Sequence, residues 1–204
     1  VCNVKSIDPN DSKFTFEDIV KMGIHLHAED VEEIVETANK ELKIERKLRD
    51  IERIWTSMVL DYVPHNESEM YLIKPSEEVI EGLESHQLEL QTMIGMGKFV
   101  DFFREQVSYW QTSLGEVESI LKLILLVERQ WGSLESIFLG SADIRAQLPD
   151  DTKRFELVDT EFKELMRDIQ LKSNVLQCCC QSDGRELILI NMHKELEKCE
   201  KAWK

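Results

Sequence analysis

Gln130-Trp131-Gly132-Ser133-Leu134-Glu135-Ser136-Ile137-Phe138 is the stretch from which the fold of this chain is read. Its apolar members Trp131, Leu134, Ile137 and Phe138 recur at helical spacing, which brings side chains onto one face of an α-helix. Upstream, Phe99, Phe102, Phe103, Val107, Trp110, Leu114, Val117, Ile120, Leu121 and Leu125 keep the same period. The two runs predict the longest helical region of the chain, closing at Gly140-Ser141. Gly115 inside it costs about 1 kcal/mol relative to Ala and marks close packing or a bend.

Toward the amino terminus, Phe14, Phe16, Ile19, Val20 and Met22 suggest a short helix ended by Gly23, which tolerates the left-handed turn that closes helices. A second helix begins near Ala28. Val31, Ile34, Val35, Ala38, Leu42, Leu48, Ile51 and Trp55 form its apolar stripe, with Glu32, Glu33, Lys40, Glu41, Lys43 and Arg46 opposite, so the stripe must pack on a partner. From Thr56 to Val63 the period changes to two: Met58, Leu60 and Tyr62 alternate with Ser57, Val59 and Asp61, as in a half-buried strand. Pro64-His65-Asn66-Glu67-Ser68 breaks the strand and Met70 to Ile73 returns, giving a β-hairpin near 56–74 that must lie on the helices. Pro75 and Ser76 introduce a helix through about Met93, with Ser76 as N-cap and Glu77 and Glu78 favourably placed.

Downstream, Phe155, Val158, Phe162, Leu165, Met166 and Ile169 predict one further helix, and Leu187, Ile190, Leu196 and Ala202 the last. The fold class is therefore mainly α: elongated antiparallel helical bundles with one small β-hairpin. Two parts are expected, a helical subdomain at 1–140 carrying the hairpin and a second at 141–204, truncated at its C-terminus.

The chain is 42% hydrophobic over 204 residues, enough for one sizeable core or two small ones. Forty acidic against 25 basic residues give a formal charge of −15, which repels phosphate backbones and anionic membrane surfaces. Nucleic acid and membrane are thereby disfavoured as partners. The apolar stretch Ile120 to Val127 is interrupted by Lys122 and too short to span a bilayer, and no secretory signal is visible, so a soluble intracellular chain is expected. Cys2, Cys178, Cys179, Cys180 and Cys199 number five, which excludes a fully paired framework within one chain and suits reduced thiols. Asn66-Glu67-Ser68 matches a glycosylation acceptor, one that a chain lacking a signal peptide would not expose to the enzyme.

Candidate chemistry is sparse. Gly95-x-Gly97-Lys98 suggests a phosphate cradle, but that motif needs Gly five residues before the Gly-Lys pair and Ser or Thr after the Lys. Thr92 and Phe99 stand there instead, and a helix break is the better reading. Cys178-Cys179-Cys180 has thiols suited to metal or redox chemistry, but no second cluster completes a tetrahedral set. His25-x-His27 near Glu29 and Asp30 reads as solvated or capping histidines. Trp55, Trp110, Trp131, Phe102, Phe103 and Phe138 fall within apolar stripes and read as core rather than a ligand box, while Trp203 at the chain end is expected to be exposed. No residue is assigned a catalytic, cofactor-binding or metal-binding role.

Trp131, Leu134, Glu135, Ile137 and Phe138, followed by Asp143, Ile144, Gln147, Leu148, Pro149 and Phe155, carry a family resemblance. Their order resembles the linker of dynein heavy chains, where a W-x-x-L-E-x-I-F run precedes a D-I-x-x-Q-L-P run. The likeness extends upstream through Val31–Trp55 and Leu83–Met93, and downstream through Val158–Met166 and Leu196–Ala202. Phe162-Lys163-Glu164-Leu165-Met166 with Cys199-Glu200-Lys201-Ala202 is more similar to axonemal than to cytoplasmic dyneins, with an outer-arm beta-type chain preferred. Cys178 to Arg185 stands where relatives commonly carry a loop richer in small residues. In the family the last helix continues into Y-L-E-x-K-R and then F-P-R-F, whereas this chain stops at Trp203-Lys204.

The resemblance implies the N-terminal, distal part of a linker: a lever that transmits the ATP-driven changes of an AAA+ ring to the tail of the motor for microtubule-based ciliary movement. It implies no catalysis and no cofactor in this chain, ATP and magnesium belonging to AAA+ modules outside it. The implied partners are the ring of the same heavy chain, the dynein tail and other dynein subunits, with microtubules met only through an absent stalk. The implied location is cytoplasm, cytoskeleton and the axoneme of cilia. The alternative from periodicity alone is a static spectrin-like helical scaffold or tether.

Overall fold

The computed structural model describes residues 13–65, 70–74 and 76–204. Asn66-Glu67-Ser68, Pro75 and Cys2 lie outside the described residues. Helix α1 (Phe16–Lys21) opens on a reciprocal cap: the Asp18 amide donates to Thr15 Oγ1 at 3.3 Å and the Thr15 amide to Asp18 Oδ2 at 2.9 Å. It closes at Gly23, whose φ of 67° is the left-handed turn that a residue without Cβ adopts freely. A 3₁₀ turn, Ile24–His27, leads into α2 (Ala28–Ser57). Strands β1 (Asp61–Pro64) and β2 (Tyr71–Lys74) pair antiparallel with Tyr62 opposite Ile73. The hairpin is shorter than expected, because Thr56 and Ser57 complete α2 by donating their hydroxyls to carbonyls of its preceding turn.

Helix α3 (Glu77–Ile94) starts where Ser76 Oγ accepts from the Val79 amide, and a 3₁₀ turn at Gly97–Phe103 joins it to α4 (Arg104–Phe138). Next come α5 (Ala142–Gln147), α6 (Pro149–Leu171), α7 (Val175–Cys179) and α8 (Arg185–Trp203). Pro149 sits at the first position of α6, where the missing amide costs nothing, with Asp150 and Asp151 at the positive helix end. Among the described residues, no helix is long and apolar enough to cross a membrane.

Burial follows the apolar period where a neighbour exists. Phe155, Val158, Phe162, Leu165, Met166 and Ile169 of α6 are all buried, as are Met58, Leu60 and Ile73 around the hairpin. Three expectations are corrected. The first half of α2 has no buried residue before Ile44, and Ile34 is 62% exposed, so no described residue covers this part of the stripe. Phe102 is 87% exposed, because Phe103 beside it takes the inward position and two adjacent rings cannot share one. Leu187 of α8 is also outside, the buried face being Leu189, Met192, Leu196 and Cys199. A Cβ on Gly115 would meet nothing within 4 Å, so close packing is not the reason for that glycine.

Two segments far apart in sequence are stitched together at Met58–Leu60. The Leu60 amide donates to the Ser173 carbonyl at 2.8 Å and the Val175 amide to the Met58 carbonyl at 3.0 Å. Asn174 does double duty: its Oδ1 caps α7 by accepting from the Gln177 amide at 3.1 Å, while its Nδ2 donates to the Thr56 and Met58 carbonyls at 3.0 and 3.1 Å.

Candidate functional site, a buried aromatic seam

The Trp131 position organises the centre of the molecule. From α4 its indole lies 4.8 Å, centroid to centroid, from the Phe162 ring of α6, and 5.0 Å from the His65 ring in an edge-on arrangement. The indole N–H donates to Asp159 Oδ1 at 2.9 Å, and Lys163 Nζ donates to the other carboxylate oxygen at 2.7 Å. A buried carboxylate is thus met by a buried donor and a half-exposed cation, which offsets its desolvation. About two turns away along both helices, Phe138 stacks on Phe155 at 5.3 Å with 19° between the planes. Both rings are fully buried, and together these contacts hold α4 against α6.

The hairpin is locked onto the same helix by polar groups. His65 Nε2 and Glu135 Oε2 are 2.7 Å apart, and the Ile73 amide donates to Glu128 Oε2 at 3.1 Å. Burial raises the Glu128 carboxyl, with the Ile73 hydrogen bond acting the other way. Tyr62 donates its hydroxyl to the Ile169 carbonyl at 3.0 Å, and burial pushes this phenol up to about 12. On the far side of the core, the Trp55 indole donates to His86 Nδ1 at 3.0 Å.

The sequence candidates fall into separate places. Trp55, Trp110, Trp131, Phe103 and Phe138 are core, unlike Phe102, and Trp203 is exposed. His25 and His27 are on the surface, with His27 Nδ1 3.4 Å from Asp30. Gly95–Lys98 is a helix break, with φ of 64° at Gly97; Lys98 Nζ pairs with Glu33 at 3.0 Å and lies 5.4 Å from the Phe99 ring. Among the described residues, no group of three or more His, Cys, Asp or Glu side chains is placed to share a metal ion.

Cys178, Cys179, Cys180 and Cys199 are free thiols. Cys178 is buried against the buried guanidinium of Arg185, whose Nη1 lies 3.1 Å from its sulfur. The other nitrogen of Arg185 reaches Asp168 at 2.5 Å and Ser182 at 3.0 Å, tying the start of α8 to α6 and α7. A hydrogen bond from Cys179 lowers the Cys178 thiol, opposed by burial and assisted by the Arg185 charge. The same bond and burial push Cys179 up, and burial is the main cause that pushes Cys180 up to about 12.

Sequence reasoning missed Asp159, His65 and Arg185 as partners of the core. Asp159 had a signal: it follows Phe155 by four and precedes Phe162 by three, so it stands on the buried face of α6. His65 and Arg185 stand at irregular or terminal positions, where no period announces burial.

These contacts pack long helices against one another and fix their register. The description "Dynein heavy chain, N-terminal region 2" matches residues 1–204, and the chain belongs to the dynein heavy chain family. It is 41% identical over 195 residues to the dynein beta chain of the flagellar outer arm of Chlamydomonas reinhardtii, and 40% over 192 residues to the human dynein axonemal heavy chain 9. Each alignment covers 94% of this chain and 4% of the relative. A ciliary dynein beta chain of Heliocidaris crassispina is 40% identical over 167 residues, covering 82% of this chain and 4% of its own length. The chain thus spans a small fraction of the relatives it matches.

Proposed function

We propose that this chain is the distal part of a dynein linker, a lever that carries shape changes of an AAA+ ring to the tail. ATP hydrolysis, with its magnesium, belongs to ring modules elsewhere in a longer heavy chain, and the residues described here contribute stiffness and register. Its partners are that ring, the tail and other dynein subunits, and its place is the axoneme. The observation that carries this reading is the seam of Trp131, Phe138, Phe155 and Phe162 between the 35-residue α4 and the 23-residue α6. Close-packed rings between long helices resist shear, as a part that passes load requires.

The test is made in a complete axonemal heavy chain. Softening the seam with Phe138→Ala is expected to slow microtubule gliding while ATP turnover by the ring persists. Unchanged gliding by a heavy chain with a demonstrably softened seam would mean a static tether instead.

A further inference from the structure

Between α2 and the start of α4 lies a cleft of about 510 Å³. Its walls are aromatic: Phe102 is 87% exposed, Tyr109 is 57% exposed, and Phe103 and Trp110 stand edge-on behind them at 5.1 and 5.3 Å. Its rim carries Glu45, Glu52 and Glu105 together with Arg49, which is paired with Glu45 at 2.5 Å, so that Glu52 and Glu105 are the carboxylates without an ion pair among the described residues. An exposed phenyl face is the negative end of a ring quadrupole and attracts a cation. The same turn shows this chemistry already satisfied at Phe99, which has Lys40 Nζ at 4.3 Å and Lys98 Nζ at 5.4 Å from its centroid. No cation of the described residues is so placed over Phe102.

We propose that this cleft docks an arginine-bearing segment of the same heavy chain. A planar guanidinium stacks on an aromatic face while its N–H fork meets a carboxylate, a combination that an ammonium serves less well. Phe102 and Tyr109 supply the faces, and Glu52 and Glu105 the carboxylates. Charge complementarity points the same way, since a chain of net charge −15 attracts a basic segment. The relatives are long enough for such a segment to lie elsewhere in the same polypeptide, because this chain matches 4% of their length, and tethering would raise its effective concentration. The inference rests on the chain being part of a longer heavy chain and not on its acting as a lever.

The experiment places the photoreactive residue p-benzoylphenylalanine at position 102 of a complete heavy chain, and identifies its crosslinks by mass spectrometry. The expected product is a link within the heavy chain to an arginine-containing peptide. Reversing the rim charges with Glu52→Lys and Glu105→Lys should cut its yield about three- to tenfold, on the scale of one or two exposed ion-pair and cation–π contacts. Reversing Glu156, which is exposed on α6 outside the cleft, should leave it unchanged. A link only to a separate polypeptide, no link at all, a linked peptide without arginine, or a yield insensitive to the rim charges would each overturn the proposal. The readout is independent of gliding, so a failure of the lever reading would leave it intact.

Discussion

Trp131 has a large apolar body and one polar handle, and the fold uses both. Trp131→Ala should lose about 3–5 kcal/mol through the cavity it leaves. Trp131→Phe keeps most of the ring but removes the donor to Asp159, and should lose about 1–3 kcal/mol, toward the lower end because Lys163 still pairs with the carboxylate. Urea unfolding of the two variants checks the order, and an unchanged stability in Trp131→Phe would argue against the hydrogen bond. Trp55 poses the complementary case, for its partner His86 titrates. Burial lowers the His86 pKa below the ordinary 6.5, with the Glu89 charge opposing. As pH falls below 6.5 the unfolded chain takes up the proton before the folded one does. This group's contribution is therefore complete above 6.5 and is lost as pH falls toward the lower folded-state value. His86→Asn keeps a side-chain acceptor without titrating, so its stability should fall less steeply over that window. Parallel pH profiles for the two proteins would refute the assignment.

Helices α2, α4 and α8 differ in how much of them could be read in advance. In α6 and most of α4, one apolar phase dominates and the core took that face, so period alone located the buried residues. Period failed in α8 because Leu187-Ile188-Leu189-Ile190 presents an apolar side chain in every direction; the choice of Leu189 was made by α4 and α6, not by local spacing. In α2 the apolar residues recur at helical spacing, yet spacing cannot say whether a neighbour covers them, and ahead of Ile44 none of the described residues does. Hydrogen-bonded pairs such as Trp131 with Asp159 lie 28 residues apart, beyond any local signal. Glycines in and after α4 make opposite predictions. Gly115 faces open space, so Gly115→Ala should gain about 1 kcal/mol from helix propensity. At Gly140 a Cβ would sit 2.5 Å from the Ser136 carbonyl oxygen, so Gly140→Ala should lower the melting temperature. Shifts of the same sign in both variants would contradict the local geometry.

The described residues form one contiguous cluster of buried side chains running across position 140, from Ile44 of α2 to Cys199 of α8. Within it α8 is fixed to α4, where His193 Nδ1 meets Gln130 Oε1 at 2.7 Å, and to α6, where Arg154 meets Glu195 at 3.2 Å. Leu196→Ala should therefore cost about 2–5 kcal/mol and raise amide exchange in α4 as well as in α6 and α8. Exchange raised only within residues 141–204 would instead favour two independently stable parts. The stitch between Met58 and Asn174 spans 116 residues, and its two sides leave the ribosome far apart in time. Because closing so large a loop is entropically slow, the nascent amino-terminal helix must wait for the last third of the chain before this anchor can form. A translational pause placed after residue 140 would lengthen that wait, leaving the Met58 carbonyl and the Leu60 amide without their backbone partners throughout it.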